Sequence, residues 1–196
     1  MSQDLDRAVR ALRAGGLVVY PTETVYGLGG DATDAAAVER VFEAKGRDRT
    51  RPISLAVPDI ETATEFARPT DRERAFMRRF LPGPVTVVLE RSENVPDALT
   101  GGRDRVGIRI PDHDLALSLL AEFAPITATS ANVSGEPSAR RVADLDGPIH
   151  EAAAVVLDGG ETPGGGSTVV DVETGTIHRR GANATAVAAW LEEHEE

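Results

Sequence analysis

The chain has 196 residues and a formal net charge of −11, with 41% hydrophobic and 4% aromatic residues, 19 glycines, 12 prolines and no cysteine. That length buries one sizeable core, so a single domain over 1–196 is expected. The acidic balance disfavours a general nucleic-acid binder, and the missing cysteine excludes a disulfide framework, a thiol nucleophile and a thiolate metal site.

No apolar run nears the roughly 20 residues of a membrane helix. The start, Met1-Ser2-Gln3-Asp4-Leu5-Asp6-Arg7, lacks a basic region followed by an apolar one. A cytoplasmic protein that meets no membrane is therefore expected. Lys45 is the single lysine among 21 basic residues. With the acidic charge, this arginine bias reads as adaptation to a salty cytoplasm, an ordinary acidic protein being the simpler alternative.

Taken in order, Leu5, Val9 and Leu12 repeat at helical spacing and predict an amphipathic helix closed by Gly15-Gly16. The apolar strand 17–20 runs into Pro21-Thr22-Glu23-Thr24-Val25-Tyr26-Gly27-Leu28-Gly29-Gly30, where hydroxyls and glycines read as a binding edge. A helix over 34–44, with Asp34 as N-cap and Val38, Val41 and Phe42 inward, delivers Lys45-Gly46-Arg47 at its end. Those cations either serve a ligand or merely complement the helix dipole. Strand 53–57, helix 59–67 and a very basic helix 71–80 follow, the last ending at Pro82-Gly83-Pro84.

Strands are predicted at 85–89 and 106–110, joined through a Gly101-Gly102 turn region carrying Arg103 and Arg105. Helix 113–123 and the short strand 125–128 lead to a second polar edge, Thr129-Ser130-Ala131-Asn132-Val133-Ser134-Gly135-Glu136-Pro137-Ser138. Beyond it come strand 153–157, the glycine loop 163–166, a hairpin of strands 167–172 and 176–179, an alanine-rich helix around Trp190 and an acidic tail over 192–196. Hairpins alternating with helices predict an open, mixed, partly antiparallel α/β sheet with helices packed on it.

Familiar chemistry-bearing signatures are missing. Gly164-Gly165-Gly166-Ser167-Thr168 has a P-loop's glycines and hydroxyls but no lysine, and it precedes a strand. His113, His150, His178 and His194 are isolated and offer no metal-ligand spacing. Asn132-Val133-Ser134 is a glycosylation sequon in form only. What remains is hydroxyls (Thr22, Thr24, Ser130, Ser138, Ser167) and cations (Lys45, Arg47, Arg51, Arg105, Arg109, Arg179) at strand ends. If they converge, they suit a nucleotide triphosphate and a small anion.

The segments 21–29, 45–47, 82–86, 130–135 and 167–171, in this order, resemble the YrdC/Sua5 family of threonylcarbamoyl-AMP synthases over about 15–181. The resemblance implies an open twisted sheet with a concave basic cleft. It also implies condensation of L-threonine, bicarbonate and ATP, carried with Mg2+ held mainly by its phosphates, into L-threonylcarbamoyladenylate and pyrophosphate. The product would pass to a transferase complex that modifies tRNA, with weak tRNA binding left open.

Carried over by position, Lys45 and Arg47 take the catalytic role and, with Arg51, Arg105, Ser130, Asn132, Ser138 and Arg179, contact ATP. Thr24, Arg109, Ala128 and Ser167 contact L-threonine, and no protein side chain is assigned to a metal. Two departures stand out. Ala56 occupies a position where many members have histidine, and the sequence ends at Glu196 where long members continue into a further domain, so a lid from that domain is expected to be missing. The rivals are a double-stranded RNA or tRNA-binding module without catalysis and a carbamoyl-phosphate-dependent relative. The latter would bring zinc-finger cysteines, which this chain lacks.

Overall fold

The computed structural model describes residues 3–194, so Met1-Ser2 of the expected start and Glu195-Glu196 of the acidic tail lie outside the described residues. Helix α1 (Gln3–Arg13) buries Leu5, Ala8, Val9 and Leu12 along one stripe. Strand β1 (Leu17–Tyr20) is buried throughout, and the chain returns antiparallel to it as β2 (Gly27–Gly29), with Tyr20 opposite Gly27. The sequence reading left β2 as part of a polar loop. It pairs with both β1 and β6, and its glycine makes room for the Tyr20 ring: a Cβ on Gly27 would stand 2.8 Å from Tyr20 Cζ.

Helix α2 (Ala35–Lys45) begins where the Asp34 side chain accepts from Ala36 N at 2.9 Å. It ends at Gly46, whose φ of +55° is the left-handed cap that glycine supplies without strain. Then come β3 (Ser54–Ala56), α3 (Ile60–Phe66), α4 (Asp71–Phe80) behind a Thr70–Glu73 capping box, and β4 (Val85–Glu90). They are followed by α5 (Asp97–Thr100), β5 (Arg105–Arg109), α6 (Asp114–Glu122), β6 (Ile126–Ser130), α7 (Gly147–Ala152) and β7 (Ala153–Val156). The chain closes with β8 (Thr168–Asp171), β9 (Thr176–Arg179) and α8 (Ala184–Glu193). Helices α5 and α7 went unread because one or two turns show no periodicity.

Among the described residues the nine strands form one sheet in the order β7-β1-β2-β6-β3-β5-β4-β8-β9. The β1/β7, β3/β5 and β4/β8 pairs are parallel and the others antiparallel, which is the mixed sheet expected. Strand alternation then divides the faces. Leu55, Val85, Val87, Leu89, Val106 and Ile108 point into a large core shared with α2, α4 and α8. Each such side chain contributes about 1.5–3 kcal/mol on burial.

On the opposite face, α1 and α6 pack Leu12, Leu119 and Leu120 against Val18, Tyr20, Ala56 and Ile126. Ala56, wholly buried in that cluster, presents no polar group to a ligand. The remainder of this face, carrying Ser54, Thr86, Val88, Gly107, Arg109 and Val169, is the floor of a hollow.

Candidate functional site

The hollow encloses about 550 Å³. Along β5 the residues alternate: Val106 and Ile108 enter the core, while Arg105, Gly107 and Arg109 line the hollow. Arg109 is 6% exposed. Its Nη1 donates to Val85 O (3.1 Å) and its Nη2 to Glu23 Oε1 (2.6 Å), so two anchors set the guanidinium plane. Burial lowers its pKa, and Glu23 opposes that shift. At the other end of β5, Arg105 lines the hollow but already pairs with Asp171 (2.9 Å), with Glu173 and, at 3.7 Å, with Glu73.

Ser167, just before β8, shares a hydrogen bond with Thr86 Oγ1 (3.0 Å) and accepts from Arg179 Nη2 (2.7 Å). Arg179 Nε also donates to Ser167 O at 2.9 Å. In β9 the register passes from Val170 opposite Ile177 to Val169 opposite Arg179, which leaves His178 as the extra residue of a bulge. Both His178 and Arg179 therefore line the hollow, although simple alternation would separate them.

The two polar edges read from the sequence are one edge in space, since β2 pairs with β6 and places Gly27 opposite Ser130. Thr24 and Thr22 share a hydroxyl–hydroxyl hydrogen bond of 3.0 Å, and Gly164 N donates to Thr24 O at 2.7 Å. That bond draws the glycine loop to the rim, where Gly165 and Gly166 line the hollow. Ala128, Ser130 and Ser138 line it as well.

Lys45 and Asn132 do not line it. Lys45 is 1% exposed, and its ammonium donates to Ser130 O and to Asn132 O (2.7 Å). Burial, helped by Arg47 and opposed by Asp146, brings its pKa down to about 8. Asn132 spends its amide on Val133 O (2.8 Å) and Glu136 O (2.9 Å), and its Oδ1 accepts from Ser138 Oγ (3.3 Å). The structure does not bring these two side chains to the lining; their hydrogen bonds support residues that do face the hollow.

Arg47, Arg51, Arg103 and Arg179 line the hollow without a carboxylate partner among the described residues. Arg47 Nε donates to Arg51 O (3.0 Å) and its Nη2 to Pro52 O (2.9 Å), bracing the turn that follows α2. Burial lowers its pKa, with Arg51 and Arg179 adding to the effect, and burial followed by Arg109 does the same for Arg179. Cations crowded to this degree on a chain of net charge −11 make a receptor for a multiply charged anion. No Asp or Glu belongs to the lining, and no group of three His, Cys, Asp or Glu side chains among the described residues could hold a metal.

The sequence reading missed Thr86, Arg103 and His178 as lining residues and Glu23 as the partner of Arg109. Alternation along the strand at 85–89 could have found Thr86. Nothing in the sequence marks the bulge that admits His178.

An open mixed sheet with a cationic, hydroxyl-lined hollow on one face defines an α/β protein whose candidate site suits small anionic ligands. A model of the Sua5/YciO/YrdC family, described as telomere recombination, matches residues 10–181, and the chain belongs to that family. The threonylcarbamoyl-AMP synthase of Pyrococcus abyssi is 43% identical over 82% of this chain and 48% of its own length. That of Bacillus subtilis is 43% identical over 80% of this chain and 46% of its own. A crystal structure of P. abyssi Sua5 complexed with L-threonine aligns with a TM-score of 0.79 at 42% identity, covering 85% of this chain and 50% of the other. The chain therefore spans about half the length of these relatives.

Proposed function

We propose that this chain condenses L-threonine, bicarbonate and ATP into L-threonylcarbamoyladenylate and pyrophosphate. The observation that carries this reading is a single hollow in which unpaired guanidinium groups and hydroxyls converge while the lining offers no carboxylate. Arg109 takes the amino acid's carboxylate with Ser167 beside it, and Thr24 and Ala128 shape the rest of that subsite. Arg47, Arg51 and Arg179, with Ser130 and Ser138, hold the nucleotide, and Arg105 closes its far end. Mg2+ would be held by the ATP phosphates, since the lining offers hydroxyls and cations but no carboxylate.

The threonine amine attacks CO2 derived from bicarbonate, forming the C–N bond of a carbamate as the amine loses a proton. A carbamate oxygen then attacks the α-phosphorus and breaks its bond to the bridging oxygen, which leaves with pyrophosphate. Alignment of the two substrates and charge neutralisation on the leaving group supply the catalysis. Arg47 does the second directly. Lys45 acts through the Ser130–Asn132 carbonyls it holds. The product passes to a transferase complex that acts on tRNA, with weak tRNA contact in a cytoplasmic setting. None of the described helices is long and apolar enough to cross a membrane.

The test is pyrophosphate release by the purified chain in high salt with ATP, bicarbonate and L-threonine. Release that stops when serine or alanine replaces threonine supports the assignment. Threonine-independent release, or salt-sensitive RNA binding with no release, overturns it.

A further inference from the structure

Three neighbouring strands cross the hollow, and their registers agree on what lies at its middle. On β5, Gly107 separates Arg105 from Arg109. On β3, which runs parallel to β5, Ala56 is level with Arg109, so Ser54 is level with Gly107, and Arg51 precedes it toward the Arg105 end. On β6, antiparallel to β3, Ala128 stands opposite Ser54 and Ser130 falls at the Arg51 end. Val88 of β4 closes the row on the far side of Gly107. Of these four lining residues, Ala128, Ser54, Gly107 and Val88, only Ser54 carries a hydrogen-bonding side chain. Its hydroxyl lies over the bare Gly107 backbone, where a Cβ would stand 2.2 Å from Ser54 Oγ. The residue is half-buried, and that hydroxyl has no hydrogen-bond partner among the described residues. The neighbouring Thr86 hydroxyl is already spent on Ser167, and its Cγ2 is the group turned toward Gly107.

Resting on the reading of this hollow as the site of threonylcarbamoyl-AMP synthesis, we propose that Ser54 is a catalytic residue whose hydroxyl donates to a carbamate oxygen as the carbon–nitrogen bond forms. Threonine held at Arg109 and a nucleotide held at Arg51 leave the transferred carbon between them, and the middle row is the floor beneath it. CO2 carries no charge. As the amine nitrogen adds to its carbon, one C–O π pair moves onto oxygen and the amine proton passes to water, so the oxygens gain a full negative charge. A donor fixed at that point stabilises the carbamate more than the CO2 it came from. Ser54 keeps its proton throughout, and the carbamate's second oxygen stays free to attack the α-phosphorus.

The test measures pyrophosphate release by the purified chain with bicarbonate varied at saturating threonine and ATP, in buffers stripped of CO2. Calorimetry then gives the affinities for L-threonine alone and for an ATP analogue with a non-hydrolysable α,β bridge alone. Ser54→Ala should lower kcat/KM for bicarbonate by about ten- to a hundredfold while both affinities move by less than about twofold. Ser54→Cys, which fills the same space with a weak donor, should lose most of the same activity, and it keeps the test open if the alanine variant fails to fold. An unchanged bicarbonate dependence in Ser54→Ala overturns the proposal, and so does a cysteine variant of full activity, since the side chain would then act by packing. Loss of affinity for threonine or for the ATP analogue overturns it as well, because the hydroxyl would then hold a substrate that contains no carbamate. If the unaltered protein shows no release that depends on both bicarbonate and threonine, the reading of the hollow falls and takes the proposal with it.

Discussion

The ammonium of Lys45 donates to the carbonyl of Asn132 at 2.7 Å, joining the end of α2 to the loop after β6 across 87 positions of sequence. Lys45→Met leaves the Ser130 and Asn132 carbonyls without this donor, and the rim of the hollow loses its support. Because the folded protein releases the lysine proton near pH 8 and the unfolded chain holds it to about 10.4, unfolding takes up a proton between those values. The stability that Lys45 contributes therefore rises with pH across that window and is flat below it. Urea denaturation at pH 7 and pH 10 should show the gap between the unaltered protein and Lys45→Met growing in favour of lysine, by up to about 3 kcal/mol.

Arg47 holds Arg51 O and Pro52 O while its guanidinium faces the hollow. Lysine keeps the charge but cannot span both carbonyls from one point. Arg47→Lys should cost about tenfold or more in kcat/KM for ATP, with the melting temperature little changed. Steady-state kinetics with ATP varied at saturating threonine checks this.

Arg105 is held by Asp171, Glu173 and Glu73, and the Glu73 side chain is 3% exposed. Removing the cation strands buried carboxylates. Arg105→Ala should lower stability by about 3 kcal/mol, read in chemical denaturation, and its effect on nucleotide affinity should be smaller than that of Arg47→Lys.

Gly107 leaves room at the centre of the floor: a Cβ there would stand 2.2 Å from Ser54 Oγ and 3.1 Å from Thr86 Cγ2. Gly107→Ala should cost about 1–3 kcal/mol of stability by overpacking and weaken ligand binding together with it. Adding Ser54→Ala removes the nearest clashing atom, so the double variant should recover part of the loss in a thermal melt.

With a net charge of −11, self-repulsion opposes the compact state. Raising KCl from about 0.1 M to about 1 M shortens the Debye length from about 10 Å to about 3 Å. The melting temperature should rise over that range, as scanning calorimetry would record.

The sequence by itself determined the longer helices and most strands, because Leu5, Val9 and Leu12, or Val38, Val41 and Phe42, repeat at the period that an amphipathic helix requires. It also determined the family, through separate short motifs kept in order. Only the tertiary structure decided which residues meet. The β2/β6 pairing, which places Gly27 opposite Ser130, joins segments about a hundred residues apart, and hydrophobic periodicity carries no information on which strands become neighbours. The same holds for Lys45. Its place at the end of α2 was legible, but whether its charge meets solvent, a ligand or two carbonyls depends on where the loop after β6 comes to rest.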